Sequence, residues 1–361
     1  MTTMMDTLLS PRRRTMLQAM AAASLLAACG DRRVGASAAP ALSHRGAAMG
    51  SQYTLKIAGP ALSAAEQDAA RAAVAAAIER VEVAMSTYRP ASELSRFNGH
   101  RAGTPFAVSA ETLAVFAAAQ EVAAASGGAF DITVLPAVDV WGFGPSIARE
   151  SRAVPSTVAL ANARASIGWQ ALTVDTAAGT LAKQRADLQA DLSGIAKGHG
   201  ADAAARALDA LGHRDYMIEV GGEVVVRGRN PEGSTWRIGI EAPDAVPQRA
   251  HTIVPLRDRA MATSGDYRIF FEQDGRRYTH EIDPATGAPV RHRLASVSVV
   301  AADCMHADAW STALFVAGPV RGPALANEYG LAAHFLARMG DGRFEETVTP
   351  AFAALGATRA T

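Results

Sequence analysis

The chain has 361 residues, of which 49% are hydrophobic, and its formal net charge at pH 7 is zero. A chain of this length and apolar content can bury a sizeable core, either as one large domain or as two. The balanced charge, without a basic stripe, argues against a nucleic-acid-binding protein. The two cysteines, Cys29 and Cys304, are too few for a disulfide framework or a cysteine metal site. Cys304 follows an apolar strand, which favours a buried, idle thiol over a nucleophile.

The first 28 residues have the features of an export signal. Arg12 to Arg14 precede an apolar run from Met16 to Ala28, which is too short to span a bilayer comfortably. The run ends in the pattern of a bacterial lipoprotein box, in which Cys29 becomes the lipidated first residue. The paired arginines also resemble a twin-arginine signal. We therefore expect a signal peptide over 1–28, a lipidated tether over 29–44, and a membrane-anchored lipoprotein of the bacterial cell envelope that faces the periplasm. An ordinary cleaved signal is the alternative.

The segment 45–355 is predicted to form one domain, without an internal linker or repeat. Alternating apolar residues after Met49-Gly50 predict a strand, and Ser63 is predicted to cap a long helix that continues to Met85. Helices and antiparallel hairpins then alternate, which indicates an α+β fold with mixed antiparallel sheets and packed helices. The other predicted elements are helices at Ser109 to Ser126, Ser156 to Ser166 and Ala307 to Val316, hairpin turns at Thr176 to Gly179, Gly221-Gly222 and Asp274-Gly275, and a buried strand at Val297 to Ala301.

Polar residues in the first half of the domain are candidates for ligand contacts. Tyr88 lies in a loop after the first helix, where it could line a pocket or simply belong to a capped turn. Asp131 follows Phe130 in an otherwise apolar run, where an unpaired carboxylate would be costly. Its partner is either a ligand or a backbone amide, and the spacing does not choose between them. The corner Trp141-Gly142-Phe143-Gly144 indicates packing rather than stacking on a ligand.

The stretch from Met261 to Thr312 gathers the residue types of a phosphate-handling site. Thr263-Ser264-Gly265 predicts a polar, glycine-ended turn that offers hydroxyl and amide groups. His280 is predicted on a strand just before a second turn. Asp308 and Thr312 are four residues apart on a predicted helix and therefore share one face. A base, a cradle and a carboxylate–hydroxyl pair together suit phosphate chemistry, although Asp308 could instead cap its helix.

A glycine-containing loop from Asp191 leads into a predicted helix. Amide groups at a helix N-terminus attract phosphate, and Lys197 falls in the first turn of this helix. The glycine and lysine spacing is not that of a P-loop, so the stretch is weak evidence when taken alone.

Seven blocks of the chain resemble, in order, those of the FAD:protein FMN transferases, the ApbE-type flavin transferases of bacterial envelopes. The resemblance extends from Met49 to the region after Thr312 and implies a single large, T-fold-like unit. Leu135 departs from the family pattern because a glycine is usual there, and His199 stands where an aromatic residue is usual. The blocks are MSTYRPASELSRFN, GAFDITVLPAVDVWGFG, DLSGIAKGHGAD, EVGGEVVVRG, ATSGDYR, HEIDPATGAPV and HADAWSTA.

The resemblance implies a reaction in which a threonine hydroxyl of a target protein attacks the FMN-side phosphorus of FAD. Mg²⁺ neutralises the pyrophosphate, AMP leaves, and FMN stays attached to the target. His280 would be the general base. The implied Mg²⁺ ligands are Asp308, Thr312 and the backbone carbonyl of Gly194. The implied FAD contacts are Met49, Tyr88, Ala129, Phe130, Asp131, Asp191 and Lys197, to which we add the Thr263 and Ser264 cradle.

The family also implies partners and rival activities. The acceptor would be a flavin-carrying subunit of a membrane redox complex, such as sodium-pumping NADH:quinone reductase or its Rnf relatives, or a related envelope protein. The same site with water as the nucleophile would be a FAD pyrophosphatase that forms FMN and AMP. A flavin-binding lipoprotein without chemistry is the third alternative.

Overall fold

The structure is a computed structural model that describes residues 39–100, 103–146 and 152–360. The predicted signal peptide, the lipidation site at Cys29 and most of the predicted tether lie outside these residues, so those assignments stay predictions. The first strand begins at Leu42, which means that the last residues assigned to the tether belong to the fold. Among the helices of the described part, none is long and apolar enough to span a membrane.

Helices alternate with antiparallel strands along the described residues. In chain order the strands are β1 (Leu42–Ala48), β2 (Ser51–Ile57), β3 (Phe106–Ala107), β4 (Leu172–Asp175), β5 (Thr180–Lys183), β6 (Tyr216–Val220), β7 (Glu223–Arg227), β8 (Trp236–Glu241), β9 (Ala250–Leu256), β10 (Arg259–Gly265), β11 (Phe270–Gln273), β12 (Arg276–Thr279), β13 (Ile282–Asp283), β14 (Ala288–Pro289), β15 (Leu294–Ala301), β16 (Ala332–Arg338), β17 (Phe344–Val348) and β18 (Thr358–Arg359). The α-helices are α1 (Ala64–Met85), α2 (Glu93–Gly99), α3 (Ala110–Ala125), α4 (Leu135–Val140), α5 (Thr157–Ala165), α6 (Ala196–Ala210), α7 (Cys304–Glu328) and α8 (Pro350–Ala353).

Eight strands form the central sheet in the order β1-β2-β6-β7-β10-β15-β16-β17, and each neighbouring pair is antiparallel. Two further sheets have three strands each, in the orders β18-β9-β8 and β3-β5-β4. The described residues belong to one compact unit. The predicted α+β fold with mixed antiparallel sheets is therefore confirmed.

The central sheet is covered on both faces, which explains why β7 is apolar at successive positions. Val225 packs into a cluster with residues of α1 and α6. Val224 and Val226 instead pack with Trp236 and other residues of the β18-β9-β8 sheet. Successive side chains of a strand point to opposite faces, so one apolar strand serves both layers. On the helical side, α7 lies against α6, β10 and β15, and this crossing positions the site described below.

Serine caps begin four of the described α-helices, and the cap predicted at Ser63 is one of them. Ser63 forms a reciprocal capping box with Glu66, in which each side chain accepts from the other residue's backbone N–H. Ser109 is the N-cap of α3, and its side chain accepts the Thr112 N–H. Ser156 is the N-cap of α5, and its side chain accepts the Ala159 N–H.

The helix predicted at Ala307 to Val316 begins earlier in the structure. Helix α7 begins at Cys304, and its N-cap is Asp303, whose side chain accepts the His306 N–H, so Asp308 does not cap it. Gly318 has a non-helical φ of 82°, so two helical segments meet at a kink there, and the first one ends close to the predicted Val316. A glycine followed by proline is typical of a helix end.

The predicted turn at Thr263-Ser264-Gly265 is wrong. These residues are the last three of β10 and pair with Ser296 to Ser298 of β15. Their composition favours a turn, but pairing with a buried neighbouring strand overrides that local preference. A Cβ at Gly265 would lie 2.8 Å from the Ala295 carbonyl oxygen, so glycine is needed for this close approach.

Candidate active site

The crossing of α6 and α7 places Asp308 at the N-terminus of α6. Its Oδ2 atom accepts the Gly198 backbone N–H at 2.9 Å. A Cβ at Gly198 would lie 2.8 Å from the Asp308 Cβ, and closer still to the Cys304 carbonyl oxygen. Only glycine therefore allows the two helices to approach this closely. The contact fixes one predicted metal ligand against the helix that carries Lys197.

A lysine and two buried carboxylates form the charged centre of the site. The Lys197 Nζ atom lies 2.6 Å from Glu223 Oε1 and 3.7 Å from Asp308 Oδ1. Burial acts to lower the pKa of Lys197, but the charges of Asp308 and Glu223 outweigh it and raise that pKa above its ordinary value. Burial raises the pKa of Glu223 to about 8 despite the lysine, and it also raises the pKa of Asp308. Ionising both carboxyl groups beside a single lysine is therefore unfavourable in this buried place.

Hydroxyl groups line the neighbouring turn of α7. Thr312 Oγ1 lies 3.0 Å from Ser264 Oγ, which in turn lies 2.9 Å from Ser311 Oγ. Ser311 donates back to the Asp308 carbonyl oxygen at 2.9 Å. A Cβ at Gly194 would lie 3.2 Å from Thr312 Oγ1, so the Gly194 backbone lies against this hydroxyl. The three predicted metal ligands are thus close together, on one face of α7 and in the loop beside it.

The cradle was predicted to consist of Thr263 and Ser264, and of these two residues only Ser264 contacts Thr312. The Thr263 hydroxyl lies 2.7 Å from the Ser298 hydroxyl on the neighbouring strand. Because adjacent residues of a strand point to opposite faces, Thr263 lies on the side of the sheet away from α7.

His280 follows directly after β12 rather than lying on the strand, and its side chain is 33% exposed. Its Nδ1 atom lies 3.1 Å from the Ile269 carbonyl oxygen. A carbonyl only accepts, so Nδ1 carries the proton and Nε2 carries the lone pair. Burial lowers the pKa of His280 to about 4, and the charges of Lys197 and Arg152 act in the same direction. The imidazole is therefore neutral at pH 7, with Nε2 able to accept a proton.

Glu281 connects the imidazole to the charged centre. Its Oε1 atom lies 3.7 Å from His280 Nε2. Burial raises the pKa of Glu281 to about 8, Lys197 opposes this rise, and Asp308 adds to it. Lys197 thus acts electrostatically on both residues that follow β12, and Asp308 acts on Glu281.

Aromatic packing holds the hairpin that ends at His280. Trp141 stacks on Tyr278 at 5.3 Å, and Tyr278 stacks on Phe271 at 5.1 Å. The Phe143 ring lies edge-on to the His280 ring at 6.4 Å. The aromatic–glycine corner therefore packs against the β11–β12 hairpin, as predicted. The hydroxyl of Tyr88, an exposed residue, donates to the Phe143 carbonyl at 3.2 Å.

The carboxylates of Asp131 and Asp191 each accept backbone N–H groups. Asp131 accepts the backbone N–H groups of Thr133 at 2.8 Å and Trp169 at 3.0 Å. Backbone amides are thus its partners here, which is one of the alternatives that the sequence left open. Asp191 accepts the Ser193 N–H at 2.9 Å, and its own N–H donates to the Ile132 carbonyl at 2.6 Å.

Buried residues on either side of this loop complete the surroundings. Ala129 and Phe130 are both buried. The Phe130 ring packs against Gly194, since a Cβ built on Gly194 would lie 3.2 Å from a ring carbon of Phe130. Met49 stands in the turn between β1 and β2 with a φ of 46°, and its N–H donates to Glu82. The Met49 sulfur packs against Gly200 of α6, since a Cβ built on Gly200 would lie 3.0 Å from it.

The two departures from the family pattern have ordinary surroundings. Leu135 is buried at the start of α4 with φ −48° and ψ −43°, so a glycine is not needed at this position. His199 lies 3.0 Å from Glu111 through Nε2. Neither side chain contacts Asp308, Thr312 or His280 among the contacts of the described residues.

Sequence reasoning missed Glu223 and Glu281 as members of the site. Both carboxylates are buried, with 3% and 8% of each residue exposed. Glu223 stands directly before an apolar run in β7, where a carboxylate needs a partner. The argument that singled out Asp131 applies equally to Glu223 and could have found it.

The antiparallel α+β fold thus carries buried carboxyl groups, hydroxyls and a lysine where α6 crosses α7, and a neutral imidazole next to Glu281. The ApbE family model matches residues 49–335. The chain belongs to the ApbE family, which confirms the resemblance seen in the sequence.

Named relatives and a solved structure agree with this membership. The chain is 40% identical over 340 residues to the FAD:protein FMN transferase of Vibrio cholerae serotype O1, covering 94% of this chain and 98% of the relative. It is 40% identical over 305 residues to the FAD:protein FMN transferase of Haemophilus influenzae, covering 83% and 88%. The structure of the flavin transferase ApbE from Vibrio cholerae superposes with a TM-score of 0.79 at 41% identity, over 87% of this chain and 98% of that one.

Proposed function

We propose that this protein is an FAD:protein FMN transferase, which moves the FMN part of FAD onto a threonine hydroxyl of a target protein and releases AMP. The observation that supports the proposal is a neutral imidazole, with Nε2 unprotonated, 3.7 Å from Glu281, a buried carboxyl group on which Lys197 and Asp308 act electrostatically. Phosphoryl transfer depends chiefly on positioning and on charge neutralisation, and this site offers groups for both.

The residues of the site fit a bound Mg²⁺. Glu223, Glu281 and Asp308 are three buried carboxylates that share one lysine, and Glu223 Oε2 has no hydrogen-bond partner in the described structure. Burial raises the pKa of all three carboxyl groups, so a bound cation would favour their ionised forms, and oxygen ligands suit a hard cation. Asp308, Thr312 and the carbonyl of Gly194 would hold Mg²⁺, which would neutralise charge on the pyrophosphate of FAD.

The chain's own residues supply the proton transfer. The bond that forms joins the threonine oxygen to the FMN-side phosphorus, and the bond that breaks joins this phosphorus to the bridging oxygen, which leaves with AMP. His280 accepts the threonine proton at Nε2, while the Ile269 carbonyl holds the proton on Nδ1. Glu281 Oε1 lies 3.7 Å from the Nε2 atom of His280.

The remaining predicted residues are proposed to surround FAD. Lys197 and the N-terminal amides of α6 suit its phosphates, since a helix N-terminus attracts anions. Ser264 supports Thr312 directly, whereas Thr263 belongs to the sheet behind it. The other proposed contacts come from the turn, loop and aromatic corner around the site, namely Met49, Tyr88, Ala129, Phe130, Asp131 and Asp191.

Mass spectrometry of a candidate acceptor after incubation with the protein, FAD and Mg²⁺ tests the proposal. The expected product is an acceptor that carries one FMN on a threonine, with one AMP released for each. Release of AMP and FMN at the same rate without an acceptor would instead identify a FAD pyrophosphatase. Intact FAD after long incubation with Mg²⁺ and acceptor would identify a simple flavin binder.

We further propose that the protein faces the periplasm and is anchored to a membrane of the bacterial cell envelope through a lipid on Cys29. The support is the sequence pattern before that cysteine. The proposed acceptors are flavin-carrying subunits of Nqr or Rnf type, or related envelope proteins. Labelling with a radioactive fatty acid, compared between the natural chain and Cys29→Ala, tests the anchor.

A further inference from the structure

A second cluster of metal-binding residue types lies apart from the proposed active site, where the β18-β9-β8 sheet meets the central sheet. It consists of His251 on β9, His334 on β16 and Glu346 on β17. One potential ligand atom from each residue lies within 4.8 Å of the others. Three strands from two different sheets therefore bring two imidazoles and a carboxylate to one point.

The cluster is partly preorganised by its own contacts. His334 is fully buried, and its Nε2 atom lies 2.6 Å from Glu346 Oε1. The His251 ring stands 6.0 Å from the His334 ring at an angle of 64°. Thr252 Oγ1 lies 3.5 Å from both His334 Nε2 and Glu346 Oε1, and 2.9 Å from His251 Nδ1. A hydroxyl thus lies among the three potential ligands.

The protonation states at neutral pH suit a metal ligand set. Burial lowers the pKa of both His251 and His334, so both imidazoles are neutral. Burial acts to raise the pKa of Glu346, but its hydrogen bond with His334 and nearby charges lower it overall, so the carboxylate is ionised. Neutral imidazole and ionised carboxylate are the forms that bind metal ions.

We infer that His251, His334 and Glu346 bind one transition-metal ion, with Zn²⁺ as the best match. Two imidazole nitrogens and one carboxylate oxygen are a common zinc ligand set, whereas Mg²⁺ prefers oxygen ligands alone. His251 and Glu346 are partly exposed, so a metal ion can reach the cluster from solvent and keep a water ligand.

Two neighbouring groups limit the affinity of the site. Arg359 on β18 lies 3.1 Å from Glu346 Oε2, but its side chain is 66% exposed and leaves Oε1 facing His334. The His334 Nδ1 atom is buried without a hydrogen-bond partner in the described structure. Metal binding at Nε2 would place the proton on Nδ1, where no acceptor satisfies it. We therefore expect weaker binding than at a closed structural zinc site.

Occupation of the cluster would join β9 to β16 and to the edge strand β17. Its role would be structural, because none of its residues contacts the group around Asp308 and His280 among the described contacts. A ligand that binds only the folded chain raises the midpoint of thermal unfolding. Zn²⁺ should therefore stabilise the protein without the flavin substrate.

Titration of the purified protein with ZnCl₂, followed by calorimetry and by thermal unfolding in excess Mg²⁺, tests the inference. The expected result is one Zn²⁺ bound per chain and a rise in Tm. His251→Ala and Glu346→Gln alter partly exposed residues and should each weaken Zn²⁺ binding at least tenfold. Substitution with Co²⁺ should give visible absorption bands that both variants lose.

Matched variants separate this site from Zn²⁺ binding elsewhere on the protein. His199→Ala removes another histidine that pairs with a glutamate, but one without a second imidazole, and should bind Zn²⁺ like the unaltered chain. Asp308→Ala should also keep the binding, because it alters only the proposed Mg²⁺ site. The inference is overturned if the unaltered chain binds no Zn²⁺, or if His251→Ala and Glu346→Gln bind Zn²⁺ as tightly as the unaltered chain.

Discussion

The Nδ1 atom of His280 is held 3.1 Å from the carbonyl oxygen of Ile269, and this bond decides which ring nitrogen can act as a base. Ile269 lies directly before β11, and His280 lies directly after β12, so the hairpin brings the two residues together. Because the carbonyl takes the Nδ1 proton, the lone pair lies on Nε2, on the side of Glu281. The fold thus selects the tautomer before any substrate arrives.

The first prediction concerns His280→Ala. Removal of a general base typically costs roughly a hundred- to ten-thousandfold in rate, so transfer of FMN should fall by that factor. Binding of FAD should be little changed, because His280 is assigned to proton transfer. Flavin fluorescence measures the binding, and the label on an acceptor protein measures the transfer. His213→Ala, in the loop after α6, is the control and should transfer normally. Normal transfer by His280→Ala would mean that the base lies elsewhere.

The second prediction concerns the pH dependence of transfer. Burial lowers the pKa of His280 to about 4, well below the ordinary value near 6.5. The base is unprotonated above its pKa, so kcat/KM should stay level from neutral pH down to about pH 5 and fall only at lower pH. Circular dichroism at each pH separates this loss from acid unfolding. An acidic limb with its midpoint near 6.5 would contradict the assigned environment of His280.

The sequence could predict those parts of the fold that depend on local pattern. The cap at Ser63, the hairpin at Gly221-Gly222 and the shared face of Asp308 and Thr312 follow from residue type and spacing alone. The turn at Thr263-Ser264-Gly265 was wrong because strand pairing, which is not local, decides its conformation.

The site shows the same division between local and non-local information. Proximity of Asp308 to Gly198 and Lys197 depends on how α6 crosses α7, which no single stretch of sequence encodes. Only resemblance to a family brought these residues together beforehand. The cluster of His251, His334 and Glu346 joins three strands, and its first residue is far from the other two in the chain, so residue spacing alone could not indicate it.

The third prediction concerns Glu281→Gln and stability in the absence of metal. Burial raises the pKa of Glu281 to about 8, against an ordinary value of 4.5. The folded state therefore holds this proton more tightly than the unfolded state, and stability is lost as the pH rises from 4.5 through about 8. Glutamine has no proton to lose, so the variant should become more stable relative to the natural chain as the pH rises. Thermal unfolding in EDTA between pH 5 and 9 measures the difference.

A control for Glu281→Gln is Glu272→Gln, which alters an exposed glutamate on β11 of the same hairpin. Its Tm difference from the natural chain should change little with pH. If the difference for Glu281→Gln is equally flat, the carboxyl does not have a raised pKa in the folded protein.

The fourth prediction compares two aspartates of α7. Asp308→Ala should abolish both transfer and its dependence on Mg²⁺, whereas FAD should still bind through the remaining contacts. The variant should fold, because Lys197 keeps Glu223 as its partner at 2.6 Å.

Asp303→Ala removes the helix cap and should cost about 1 kcal/mol of stability while it leaves the Mg²⁺ titration unchanged. Magnesium titrations of the transfer rate, with thermal unfolding of both variants, test this pair. An unchanged titration in Asp308→Ala would remove this residue from the ligand set.

The fifth prediction concerns Gly198→Ala at the crossing of α6 and α7. The added Cβ would lie 2.8 Å from the Asp308 Cβ and against the Cys304 carbonyl, so one helix must move. Overpacking of a buried contact typically costs 1–3 kcal/mol, and we expect about 2 kcal/mol here, together with a weaker Mg²⁺ dependence because Asp308 shifts. Gly99→Ala is the control, since a Cβ at this end of α2 meets no atom within 4 Å. Chemical denaturation measures both free energies of unfolding. Equal stability of the two variants would show that the helices can separate without cost, and that their close approach does not hold Asp308 in place.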